Sequence, residues 1–170
     1  VQAGSRTATY GAVRLFVDNW RWQGVPFYLG SGKALAEKLT EIRIQFKCPP
    51  HLMFQLPLDY QMTPNILVLQ LQPKEGIHLR FEAKVPDTIA KMRSVDMDFF
   101  YRDAFGPNAI PDAYERLLLD AINGDASLFT RADQVELGWQ FFDPIIREYE
   151  KNGAEAIPVY TYPQGSEGPE

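Results

Sequence analysis

The sequence holds one cysteine, Cys48, so no intrachain disulfide is available to it. A lone thiol fits a reducing cytoplasm, and with no activating partner beside it in sequence it reads as inert. Histidine is nearly as scarce. His51 follows Pro49-Pro50 and His78 lies in an alternating apolar run; neither has a second His or Cys, or a spaced carboxylate, in a metal-binding pattern. Both read as surface or packing residues ahead of general acid–base roles. Long apolar runs are missing. The longest are stretches such as Ile66-Leu67-Val68-Leu69, far below the ~20 residues that span a bilayer. No basic segment followed by an apolar one opens the chain, so no signal peptide is expected. Positive charge is in deficit: Lys+Arg total 17 against 22 Asp+Glu, a formal net charge of -5. That balance excludes a general attraction to nucleic acid or anionic membranes, while a local basic cluster can still hold a small anion. No glycine-rich dinucleotide fingerprint follows a strand, which excludes a Rossmann unit, and there is no internal repeat.

What is present is the material of one folded domain: 170 residues, 45% hydrophobic and 13% aromatic. The first half reads as strands. From Thr9 to Val17, Val13, Leu15 and Val17 alternate with Ala12, Arg14 and Phe16. Asp18-Asn19 and Gln23-Gly24 are turn signals, and Val25 to Leu29 is a short second strand. Glu41 to Lys47 alternates Ile42, Ile44 and Phe46 with polar residues, which predicts one buried face. Pro49 to Pro64, with four prolines including Pro57, reads as an irregular connection. Asn65 to Gln72 and Ile77 to Val85 are two further strands around a Pro73–Gly76 turn. Alternation from Met97 through Arg102 predicts another.

The second half turns helical. Asp112 with Glu115 suggests a capping box, Tyr114, Leu117, Leu118, Ala121 and Ile122 form a stripe, and Gly124 suits the C′ position. Thr130 and Asp133 suggest a second cap ahead of Val135, Trp139, Phe142 and Ile146, with Pro144 expected to kink or interrupt that helix. The tail from Ala154 to Glu170 reads as extended. Strands followed by helices, without βαβ alternation, predict an α+β fold with a large, mostly antiparallel sheet and helices on one side.

For chemistry, Gly30-Ser31-Gly32-Lys33 is the most suggestive segment. Glycines admit an anion to the backbone and lysine adds a point charge. It is not a phosphate-binding loop of the Walker type, because Phe27 stands where the first glycine belongs and Ala34 where the Mg²⁺-binding hydroxyl belongs. On pattern alone it is either a plain turn, the commoner outcome, or an anion site. A helical turn from Ala34 to Lys38 would bring Lys38 toward the same anion; the plainer reading of Lys38 is a solvated surface lysine. The acidic pairs Glu115/Asp120 and Glu148/Glu150 read as solvated helix faces, and Trp20, Trp22 and Trp139 as core or interface anchors. No nucleophile–base–orienter set emerges.

Longer segments carry more. Asp18 through Leu29 followed by Ser31-Gly32-Lys33, Asn65 to Pro73, Pro111 through Asp120, Arg131 through Pro144 and Gly165 through Pro169 occur in one order over nearly the whole chain. In these segments the sequence resembles the carboxy-terminal domain of glucose-6-phosphate dehydrogenase. The resemblance implies an enzyme that oxidises glucose 6-phosphate to 6-phosphogluconolactone with NADP in the pentose phosphate pathway. It implies a cytoplasmic homodimer, or higher homo-oligomer, paired through the sheet of this domain. In that family an amino-terminal Rossmann domain holds the cofactor and carries the catalytic histidine, in a motif Arg-Ile-Asp-His-Tyr-Leu-Gly-Lys that these residues lack. The chain is thus expected to be a single substrate-side and dimerisation domain over residues 1–170, excised from a longer protein and inactive as a dehydrogenase alone. The alternative is a stand-alone sugar-phosphate-binding or interaction module without catalysis.

Carried over residue by residue, the resemblance implies that Lys33 and Lys38 contact the hexose phosphate and that Gln72 lies at the substrate. Some family members hold a second, structural NADP in this domain with basic residues. Here Gly30, Leu39 and Gln70 stand at those places and only Arg43 is kept, so the resemblance does not extend to that site.

Overall fold

The computed structural model describes residues 5, 7–51, 60, 62–89, 91–153 and 157–169. They fall into two compact units, Val1–Glu37 with Arg131–Glu170, and Lys38–Thr130. The class is α+β and the strand pairings are antiparallel, as the patterning predicts. The strands divide between a two-stranded and a four-stranded sheet.

In the first unit, β1 (Tyr10–Phe16) pairs with β2 (Pro26–Gly32) from Tyr10↔Gly32 to Phe16↔Pro26. The turn between them is built on Asn19, whose Oδ1 accepts from the Arg21 N–H at 3.1 Å and the Trp22 N–H at 2.9 Å. The glycine tetrapeptide is not a loop: β2 continues through Gly32. Glycine is required at 32 because a Cβ there would lie 2.5 Å from the Tyr10 ring. The helical turn expected at Ala34–Lys38 does not form, since Ala34 adopts φ 54, outside the helical region. The long helix α3 (Ala132–Asn152) starts after Arg131, whose N–H donates to Gln134 Oε1 at 3.3 Å, and not at the Thr130/Asp133 cap. Pro144 does not interrupt it. Proline removes one donor, the partner of the Gln140 carbonyl, and the turns on either side continue. The described tail, 157–169, is irregular, as expected; residues 154–156 and 170 lie outside the described residues. The tryptophans are not core residues of this chain: Trp20 is fully exposed, Trp139 mostly and Trp22 partly so.

In the second unit, β3 (Thr40–Gln45), β4 (Ile66–Gln72), β5 (Gly76–Lys84) and β6 (Met92–Phe100) lie in that order across the sheet. Residues 52–59 of the proline-rich connection, Pro57 among them, and residue 61 are outside the described residues. Period-two alternation gives the sheet one apolar face, with Ile42, Leu69, Ile77 and Phe99, and one polar face, with Arg43, His78, Arg80 and Asp96. The apolar face is not buried as predicted: Ile42, Ile44 and Phe46 are 39–48% exposed. Among the described residues Val68 is the one buried hydrophobic side chain. The close helix–strand packing is that of the short α1 (Tyr101–Phe105) on β6. Tyr101 and Arg102, expected in the strand, begin this helix. The Tyr101 N–H donates to the Glu75 carbonyl at 3.1 Å, and its ring meets Phe99 and Phe105 at 5.1 and 5.9 Å. Helix α2 (Ala113–Asn123) is capped at the expected ends, by Asp112 Oδ1 accepting from the Tyr114 N–H and by left-handed Gly124. Asp120 departs from its expected solvated setting: it is 3% exposed and ion-paired to Arg116 at 3.0 Å.

Candidate functional site

Lys33 follows the last residue of β2. Its backbone is bound on both sides: the N–H donates to the Thr9 carbonyl at 2.8 Å, and its carbonyl accepts from the Tyr162 hydroxyl at 2.7 Å. The next carbonyl, of Ala34, accepts from the Gly165 N–H at 2.8 Å, and the Ala36 N–H donates to the Ser166 carbonyl at 2.9 Å. The tail thus binds the segment that follows β2 at three points. The Lys33 side chain is exposed, and its ammonium has no ion-pair partner among the described residues.

In the second unit, Lys38 is exposed two residues before β3 begins at Thr40. Thr40 is registered against Gln72, the exposed last residue of β4. The topology therefore brings Lys38 and Gln72 to the same end of the β3–β4 pair. Lys38, too, has no ion-pair partner among the described residues. An ammonium and an amide side chain at one strand end can serve a phosphate and a hydroxyl.

The polar face of the sheet holds a charge cluster that sequence reasoning missed. His78 Nδ1 lies 2.6 Å from Asp98 Oδ1, and its Nε2 lies 3.4 Å from Asp96 Oδ1. Arg80 Nε donates to Asp96 Oδ1 at 2.8 Å. These are directly registered cross-strand partners, His78↔Asp98 and Arg80↔Asp96. The Arg80 hydrogen bond, against a smaller effect of burial, holds the Asp96 carboxyl below its ordinary value, and Asp96 in turn raises Arg80. Glu82, on the same strand, accepts from the Tyr60 and Ser94 hydroxyls, each at 2.6 Å. Burial raises the Glu82 carboxyl, but hydrogen bonds from Ser94, Tyr60 and Thr63 together outweigh it and leave it lowered. The available signal was the i, i+2 spacing of His78/Arg80 and of Asp96/Asp98; the register that opposes them was not readable locally.

The cluster bears on a second nucleotide site. Arg43 is paired to Glu41 at 3.1 Å and Arg80 to Asp96, so the arginines of this face are already neutralised. With Glu82 and Asp98 also on it, the face carries more carboxylates than cations and does not fit the phosphates of NADP. No group of three or more His, Cys, Asp or Glu side chains among the described residues is arranged to hold a metal ion. No described helix is long and apolar enough to cross a membrane.

Comparison with known proteins adds the context. A family model, glucose-6-phosphate dehydrogenase, C-terminal domain, matches residues 1–170. The chain is similar to glucose-6-phosphate 1-dehydrogenase of Mycolicibacterium smegmatis, 44% identical over 165 residues, which cover 97% of this chain and 32% of that protein. It is 43% identical over 171 residues to the chloroplastic enzyme of Solanum tuberosum, covering 99% of this chain and 29% of that one. Its structure is similar to that of a glucose-6-phosphate dehydrogenase in complex with its substrate glucose-6-phosphate, with a TM-score of 0.85 and 35% identity over 100% of this chain and 34% of that one. A glucose-6-phosphate 1-dehydrogenase from Mycobacterium avium gives 0.74 and 38%, again over 100% of this chain and 34% of the other. The chain spans about a third of the length of the curated relatives it matches.

Proposed function

We propose, from the premise that the chain belongs to the glucose-6-phosphate dehydrogenase C-terminal domain family, that residues 1–170 form the substrate-side and dimerisation domain of a glucose-6-phosphate dehydrogenase. The whole enzyme oxidises glucose 6-phosphate to 6-phosphogluconolactone with NADP, feeding the pentose phosphate pathway, and works in the cytoplasm. The cofactor supplies the hydride acceptor. It and the catalytic histidine belong to residues outside this chain, consistent with a polar sheet face that does not suit a nucleotide phosphate.

Within this chain, Lys33 and Lys38 bind the hexose phosphate as point charges, and Gln72 donates to and accepts from the sugar hydroxyls. The observation that carries this reading is that Lys33 and Lys38 are exposed with no ion-pair partner among the described residues, Lys33 on a backbone held on both sides by Thr9 and Tyr162, and Lys38 at the strand end that also carries Gln72. A homodimer through the four-stranded sheet is supported by its open apolar face, where Met97 is 60% exposed. The test is Lys33→Ala, Lys38→Ala and Gln72→Ala in the full-length enzyme. Loss of a charge-assisted contact from lysine raises KM for glucose 6-phosphate roughly 10- to 100-fold; Gln72→Ala gives a smaller rise, and KM for NADP is unchanged in all three. Unchanged KM for the sugar in both lysine variants refutes the site.

A further inference from the structure

We infer that Tyr162 is a positioning residue for Lys33: it fixes the backbone from which the ammonium reaches the phosphate, without touching the substrate itself. The inference rests on the reading of Lys33 given above. Tyr162 lies 129 residues from Lys33 in sequence, yet its hydroxyl is 2.7 Å from the Lys33 carbonyl. The same oxygen is 3.1 Å from the Thr9 carbonyl and 3.3 Å from Thr9 Oγ1. Thr9 is also the acceptor for the Lys33 N–H. The phenol therefore lies against both Thr9, the residue that precedes β1, and the Lys33 carbonyl, while Thr9 itself holds the Lys33 N–H, and the shortest contact takes the single phenol proton to Lys33.

The ring is aimed as well. Tyr162 meets Tyr10 edge-on, with centroids 5.7 Å apart and planes at 63°. Tyr10 is fenced by two glycines: a Cβ at Gly32 would fall 2.5 Å from it, and one at Gly168, which sits at φ 113, 3.0 Å from it. Directly after Lys33, Ala34 occupies the left-handed region at φ 54, which L-residues other than Asn and Asp seldom adopt. Such a conformation persists only where the surroundings over-determine it. Here they do, through the Tyr162 hydroxyl on one carbonyl, Gly165 on the next and Ser166 two residues on. The result is a lysine with its peptide immobilised and its side chain free. That is the arrangement in which a point charge is pre-organised for an anion and its backbone ordering is complete before binding.

The test is made in the full-length enzyme. Tyr162→Phe keeps the ring on Tyr10 and removes only the hydroxyl. Loss of one positioning hydrogen bond is expected to raise KM for glucose 6-phosphate roughly 3- to 10-fold. Both kcat and KM for NADP stay within about twofold, and amide exchange quickens at Lys33–Ala36 but not in β4 or β5. Lys33→Ala is measured alongside. An unchanged sugar KM in Tyr162→Phe, with a raised one in Lys33→Ala, overturns the role of Tyr162 and leaves the phosphate site standing. Unchanged values in both overturn the site and the inference together. Equal losses in kcat and both KM values show a merely structural tyrosine and also overturn it. If Tyr162→Phe does not fold, Tyr10→Leu decides: it removes the ring that aims the phenol and must show the same KM-only change.

Discussion

Gly76 opens β5 and is buried, paired with Gln70 on one side and Phe100 on the other. A methyl group there would sit 2.6 Å from the Phe99 carbonyl oxygen and 2.7 Å from Phe100 Cδ1. Ordinary contact begins near 3.4 Å, so the β5–β6 pair must open by about 0.8 Å at this end. The obstacle is backbone, which cannot rotate aside. Overpacking of this kind costs about 1–3 kcal/mol. Gly→Ala also removes freedom from the unfolded chain, which offsets about 0.4–1 kcal/mol. The net for Gly76→Ala is a local loss of about 1–2 kcal/mol. Under exchange conditions that report opening equilibria, that is a roughly 5- to 30-fold acceleration of amides in β5 and β6. The assay is hydrogen–deuterium exchange by mass spectrometry on the full-length enzyme. Gly138→Ala is the internal control: a Cβ there meets nothing within 4 Å, and Gly138 lies inside α3. Alanine in a helix interior is favoured over glycine by about 0.8–1 kcal/mol, so α3 exchange should slow. Unchanged exchange in β5 and β6 for Gly76→Ala would refute the steric argument.

Two further outcomes follow from the ion pairs. Asp96 has a folded-state pKa below its unfolded value, so its contribution is fully present above the unfolded pKa and is lost as pH falls through the folded one. Asp96→Asn should therefore lower stability at neutral pH and flatten the acid limb of the curve below about pH 4, read by thermal shift against pH; a variant curve parallel to wild type throughout would count against the pair. Arg116→Ala leaves the 3%-exposed Asp120 without its ion-pair partner. The Arg116 end is 56% exposed, so the loss should be about 1–2 kcal/mol, below the range for a fully buried pair, measured by urea denaturation. No change would mean that the carboxylate is solvated after all.

What was legible in the sequence was local. Asp112 and Gly124 mark the ends of α2 because a cap is a contact within one turn. The strands at 66–72 and 76–84 follow from alternation over a few residues. Gly32 misled because glycine signals both a loop and a close approach, and here the ring of Tyr10, far earlier in the sequence, is opposed to it only once β1 and β2 are registered. Asp96 and Asp98 became partners of Arg80 and His78 through register alone. Tyr101 begins α1 although its N–H still bonds the Glu75 carbonyl that the β5–β6 register sets opposite it, so alternation alone does not mark where the strand ends. For the proposed site, Lys33, Lys38 and Gln72 were nameable from family resemblance, whereas the contact of Tyr162 with Lys33 was not, because nothing near position 162 signals a partner at position 33. Alternation also shows that Ile42 and Ile44 want cover, but not what supplies it.

The bond between Tyr162 and Lys33 has a consequence in time. Synthesis runs from the amino end, and 129 residues separate the two partners. At cellular elongation rates, β1, β2 and the lysine wait roughly 6–26 s before the tyrosine that holds them is made. During that interval Ala34 has neither the Gly165 nor the Ser166 contact that restrains its neighbourhood. A ribosome that stops short of position 162 therefore releases a chain whose sheets are written in full but whose Lys33 segment was never fixed by the tail.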